Sequence, residues 1–131
     1  MNCPWGADDI SIILSTLRDE NIKATFFLVG HWAQKFPDSV KAMAADGHDV
    51  ANHSNSHLRL GALDKDRIKT EITACTETLE TLTGAKTDLF RAPYGDYTNN
   101  VIQIAKDMGY YTIQWDVDGI YTKVKTQQSL R

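Results

Sequence analysis

Cysteine is scarce, no apolar stretch is long, and no block of like charge occurs; each shortage removes a class of protein. Two cysteines, Cys3 and Cys75, in 131 residues cannot build a disulfide framework, and they leave the redox compartment open. Cys75 falls within a helical apolar pattern and reads as a small buried hydrophobe. No apolar run approaches the ~20 residues that a bilayer-spanning helix needs. The net charge is -3 and no basic cluster is present, so nothing suggests a nucleic-acid or membrane-surface partner. The opening residues, Met1 to Gly6, contain neither a charged segment nor an apolar one of the kind a secretory signal carries. What remains is an ordinary globular composition, 42% hydrophobic and 24% charged, sufficient for a single domain over residues 1–131.

Periodicity divides the chain into alternating helices and strands. Ile10, Ile13, Leu14 and Leu17 share one face of a helix predicted from Asp8 to Glu20, with Asp8 or Asp9 as its cap. Lys23 to Val29 is a mostly apolar run that ends at Gly30, as a strand covered on both faces would be. Pro37-Asp38-Ser39 opens a second helix that closes at Gly47. A strand from His48 to Asn52 follows. Asp64 then caps a long helix carrying Ile68, Ile72, Cys75, Leu79 and Leu82, closed by Gly84. Leu89-Phe90-Arg91 is a short strand. The last helix runs from Thr98 to Met108, with Val101, Ile102 and Ala105 inward and Gly109 at its end. Tyr110 to Val117 is the last strand. The repeated helix–strand order predicts an α/β fold with a parallel sheet and right-handed crossovers. The absence of a full strand before the first helix, and of a helix after the last strand, predicts a (β/α) barrel incomplete at both ends. Its open strand edges favour homo-oligomerisation.

Polar residues gather where successive strands end: Gly30-His31, Asn52-His53, Arg91, then Asp116 and Asp118. In parallel α/β folds that end of the sheet carries the chemistry. His53 and His57 stand four apart in a loop of small polar residues, a spacing that lets two imidazoles reach one metal ion. Taken alone, the pair is as readily two solvent-facing histidines. A helical zinc peptidase would require Glu directly after the first histidine, where Ser54 stands. Arg91-Ala92-Pro93-Tyr94-Gly95 is a tight turn straight after a strand, with Arg91 at the strand tip. His48 reads as a structural residue following a helix end, and Trp32 as packing on the next helix. Tyr94, Tyr97 and Trp115 have flat faces suited to sugar rings, although Trp115 alternates with core positions.

Together these segments resemble the polysaccharide deacetylases of the NodB-homology type, carbohydrate esterase family 4. His53-Ser54-Asn55-Ser56-His57 matches the family's H-[ST]-x-x-H motif, and Arg91-Ala92-Pro93-Tyr94-Gly95 its R-x-P-x-G motif. Lys23 to Gly30 matches its second strand, Gly47-His48 and Asn52-His53 the lead-in to its third, and Trp115 to Asp118 the approach to its fourth motif. The resemblance implies a barrel of fewer than eight units and one divalent metal ion, zinc first, with cobalt, nickel or manganese as alternatives. It implies hydrolysis of acetyl groups on an N-acetylated polysaccharide or oligosaccharide. His53 and His57 would hold the metal, Arg91 would orient a catalytic carboxylate, and Asp118 would belong to the catalytic set. The Tyr94 backbone N–H would stabilise the oxyanion, with Pro93 and Gly95 shaping the turn that presents it.

The chain also departs from that pattern. Aligning Trp5-Gly6 with the family's F-D-x-x-W-G form puts Asn2 where the general base, an Asp, should stand, and an Asn cannot take a proton from water. Asp8 or Asp9 would supply a third ligand, or simply cap the helix. Tyr121 and Thr122 replace the Asp and Trp that end the fourth motif, and the histidine strand of a fifth is absent. The competing expectation is therefore a non-catalytic carbohydrate-binding module that keeps the fold and the metal site.

Overall fold

Four short strands order the molecule, and two of them, ending at Asn52 and Phe90, lead straight into buried polar residues, His53 and Arg91. The computed structural model describes residues 10–113. Its elements are α1 (Ile10–Asp19), β1 (Thr25–Leu28), α2 (Gly30–Lys35), α3 (Pro37–Ala45), β2 (Asp49–Asn52), α4 (Lys65–Thr83), β3 (Leu89–Phe90), α5 (Asn99–Asp107) and β4 (Tyr111–Thr112), with single 3-10 turns at Leu60–Ala62 and Pro93–Gly95. All neighbouring strands pair in parallel, in the order β1-β2-β3-β4. Spatial order that follows chain order, with right-handed crossovers, puts every connecting helix on one face of the sheet, as in a (β/α) barrel wall. A doubly wound sheet would reverse direction partway.

Alternation along the strands separates two faces. Phe26 and Leu28 join Ile10, Leu14, Leu17, Val40, Met43, Cys75 and Leu79 in the helix-side core. Phe90 packs with Ile68, Ile72, Val101 and Ala105. Phe27 turns to the opposite, inner face with Ala51, Leu89 and Ile113. Helix ends follow their capping chemistry: Asp64 Oδ1 accepts from Arg67 N at 2.8 Å, and Gly84 closes α4 in the left-handed region at φ 72°, which a side chain would disfavour.

One expectation, the inward place of Ile102, needs correction, and two elements gain detail. Helix α2 lies between Gly30 and Pro37, where apolar periodicity assigns no element. Six residues are too few for a periodic signal, and the helix is set by tertiary bonds: Gly30 N and His31 N donate to Ser54 O and Asn55 O, each at 3.0 Å. Ile102 is exposed and Ile104 takes the inward place, because α5 starts at Asn99 and its phase follows Val101 and Ala105. Of the strand expected from Tyr110 to Val117, Tyr111–Thr112 is formed, and residues 114–117 lie outside the described residues. Trp32 is buried with Val40 and Met43 of α3, as expected. His48 is structural: its Nδ1 accepts from Ala24 N at 3.0 Å, and burial first of all lowers its pKa.

Strands β2 and β3 meet only at Asn52 and Phe90. Towards their N-terminal ends they splay around a cavity of about 860 Å³ bordered by Asp49, Val50, Asp88, Leu89 and Tyr110. That cavity lies at the end of the sheet away from His53 and Arg91. No helix among the described residues is long and apolar enough to cross a membrane.

Candidate metal centre

His53 and Arg91 are the first residues beyond the ends of β2 and β3. The ladder continues one step past the formal strands: His53 N donates to Leu28 O at 3.0 Å and Arg91 N to Asn52 O at 2.9 Å. Strand alternation carried on from Ala51 and Leu89 brings both side chains to the inner face. The Arg91 guanidinium lies 4.2 Å from the centre of the Phe27 ring, and the residue is 5% exposed.

After His53 the chain turns sharply, with Ser54 at φ 66° and His57 at φ 56°, conformations that L residues adopt only when held. The hold is visible. Asn52 points to the helix side, donates to Ile72 O at 2.8 Å and Thr76 Oγ1 at 2.9 Å, and accepts from Ser54 N at 2.8 Å. Ser54 Oγ accepts from His57 N at 3.1 Å. Glu71 reaches from α4 to take Ser56 N at 2.8 Å on one oxygen and Ser56 Oγ at 3.1 Å on the other. The loop between the two histidines is thus fastened to α4 by a buried carboxylate. The sequence reading missed Glu71. Its signal was a charged residue on the apolar face of α4, directly between Ile68 and Ile72.

His53 is buried, 3% exposed, and its Nδ1 lies 2.7 Å from Arg91 O. A carbonyl only accepts, so Nδ1 carries the proton and Nε2 presents its lone pair. Burial, opposed in part by that bond and aided by His57, pulls the His53 pKa down to about 4. The ring is therefore neutral at pH 7, the form a metal needs. The His57 ring stands 5.0 Å away, centre to centre; two imidazoles sharing one tetrahedral ion have centres about 5 Å apart. A ring fixed by an Nδ1–H to a backbone carbonyl is the usual preparation of a metal ligand. These residues fit a divalent ion. Among the described residues no third His, Cys, Asp or Glu joins them. Asn2, Asp8, Asp9, Trp115, Asp116, Asp118, Tyr121 and Thr122 lie outside the described residues, so the expectations placed on them have no structural counterpart here.

The turn Pro93–Gly95 brings the second predicted segment against the first. The Tyr94 ring lies 4.9 Å from that of His57, and Tyr94 is held at φ 63°. Gly95, Asp96 and Tyr97 use their N–H groups to close the turn, on Ala92 O, Pro93 O and Gly95 O; the Tyr94 N–H takes no part in it. Pro93 is buried. The Tyr97 hydroxyl accepts from Ala92 N and donates to Ile113 O, tying the turn to the end of β4. Tyr94 is exposed, and Arg59, absent from the sequence expectations, sets its guanidinium 4.3 Å from the centre of that ring.

Residues 5–113 match the family model described as polysaccharide deacetylase. A peptidoglycan-N-acetylglucosamine deacetylase of Bacillus cereus is 38% identical over 108 residues, which cover 82% of this chain and 39% of the relative. A peptidoglycan-N-acetylmuramic acid deacetylase of Bacillus subtilis is 31% identical, over 88% of this chain and 44% of its own length. Among solved structures, a family 4 carbohydrate esterase pseudoenzyme from Bacillus anthracis superposes with a TM-score of 0.85 at 31% identity, covering 88% of this chain and 41% of that one. The chain spans less than half the length of each of these relatives.

Proposed function

The chain belongs to the polysaccharide deacetylase family, and from that premise we propose that it acts in metal-dependent removal of acetyl groups from an N-acetylated polysaccharide. The observation that carries this reading is the His53 ring, locked by Arg91 O with its Nε2 lone pair free beside His57. In this reading His53 and His57 hold one divalent ion, zinc first. When bound, such an ion polarises an acetyl carbonyl and lowers the pKa of water from 15.7 to about 7. The chain's own residues do the rest. The Tyr94 N–H, left out of its turn and presented by Pro93 and Gly95, donates to the developing oxyanion. The buried Arg91 orients the carboxylate that handles the proton, and Asp118 is assigned to that catalytic set from the motif alone. The substrates named for the relatives, peptidoglycan and chitooligosaccharides, define the glycans to try.

The test pairs two measurements on the purified chain and on His53→Ala and His57→Ala. Metal analysis after zinc dialysis should give about one zinc per chain, lost in either variant. Acetate release from N-acetylated oligosaccharides should require added zinc and fall to background in both variants. Unchanged zinc content and acetate release in His53→Ala would refute the assignment. A second reading, a glycan-binding module without turnover, is favoured by one feature, Asn2 at the position of the family's base. Sugar binding that persists with no acetate released would establish it instead.

A further inference from the structure

Near the histidine pair stands a cation, Arg59, to which the proposed chemistry gives no role. Arg59 is exposed, and its guanidinium stands over the Tyr94 ring, 4.3 Å from the ring centre. That ring in turn lies 4.9 Å from His57, so the guanidinium is within those two separations, placed end to end, of a proposed metal ligand. The placement is built into the backbone. Leu60, the next residue, is fully buried against Ile68, Phe90 and Val101. Gly61 N donates to Asp96 Oδ2 at 3.0 Å, joining the Arg59 segment to the turn that carries Tyr94. The two segments approach so closely that a Cβ on Gly61 would sit 2.7 Å from Asp96 Oδ1.

A guanidinium held over an aromatic ring through its π face does not spend its N–H donors on that contact. Its fork matches the two oxygens of a carboxylate, and its single charge matches the single charge of one. Tyr94 is 59% exposed, so the guanidinium over its ring and the surface beside it are open to a ligand. We propose that Arg59, seated on Tyr94, is an anion subsite that selects N-acetylated glycans bearing a carboxylate next to the acetamido group. This rests on the deacetylase reading above and narrows its substrate class. The carboxylate could belong to the acetylated sugar itself, as a 3-O-lactyl ether, or to a neighbouring uronic acid.

Binding without turnover tests it. The full chain, with no metal added, is titrated calorimetrically with three N-acetylglucosamine oligomers of equal length: neutral, 3-O-lactyl, and alternating with uronate. At low salt, at least one acidic oligomer should bind roughly tenfold tighter than the neutral one, and raised salt should erase the difference. The acidic oligomer that is preferred identifies where the carboxylate sits. In Arg59→Gln, an exposed change that leaves the core alone, the preference should fall to about twofold or less; Arg59→Lys, which keeps charge but loses the fork, should lie between. Equal binding of all three oligomers by the unaltered chain, binding of none, or a preference that survives in Arg59→Gln would overturn the proposal. Acetate release with zinc is scored separately. A preserved binding preference with no acetate released would end the deacetylase reading and leave the anion subsite standing.

Discussion

Acidification should weaken this fold through His53 more than through any surface group. The ring is neutral and buried, with its pKa drawn from 6.5 down to about 4. A folded-state value below the unfolded one means that the native chain binds fewer protons than the unfolded chain between those limits. The contribution is therefore fully present above pH 6.5 and is lost as the pH falls towards 4. At 1.36 kcal/mol per pKa unit the whole effect is about 3 kcal/mol, and linkage puts about 2 kcal/mol of it between pH 7 and pH 5. That is a large share of the 5–15 kcal/mol by which domains are typically stable. Other groups titrate in the same range, including His48, whose pKa is also lowered by burial. The measurement must therefore be a difference. Urea midpoints are taken at pH 7 and pH 5 in the presence of a chelator, for the unaltered chain and for His53→Asn. The Asn amide keeps a donor for Arg91 O and cannot titrate. The unaltered chain should lose about 2 kcal/mol more than the variant over this interval. Equal losses in the two proteins would show that His53 is not held neutral by burial, and the description of its environment would fall.

Two further outcomes follow from the loop that joins the histidines. Glu71→Ala removes both acceptors of Ser56 and should cost about 2–4 kcal/mol in denaturant unfolding. Zinc affinity in a competition titration should drop about 10- to 100-fold, with partial recovery in Glu71→Gln, which keeps one carbonyl acceptor; an unchanged zinc affinity would refute the tether. Gly30→Ala would place a Cβ 2.2 Å from Asn55 Oδ1 and 3.2 Å from the Cys75 Cα. The Asn55 side chain can turn away but the α4 backbone cannot, so a loss of about 1–3 kcal/mol is expected, read as a fall of several degrees in Tm.

The sequence by itself determined the class of fold and the direction of its chemistry. Apolar spacing in α1, α4 and α5, together with Asp64, Thr98 and Gly84 at helix ends, is local information that capping and amphipathicity express within one or two turns. The motifs around His53 and Arg91 marked strand tips, and strand tips of a parallel sheet share one end. Tertiary structure decided whatever depends on groups far apart in the chain. Helix α2 forms because Gly30 and His31 find carbonyls in the Ser54-Asn55 loop. His53 is neutral and correctly protonated because a carbonyl 38 positions away receives its proton. Glu71 and Arg59 carry no motif; one acquires its place by reaching a loop fifteen residues earlier in the chain, the other by resting on a ring presented by a different turn. Pattern and propensity act between neighbours along the chain, whereas burial, tautomer and charge placement are set by whichever atoms the fold brings within a few ångströms.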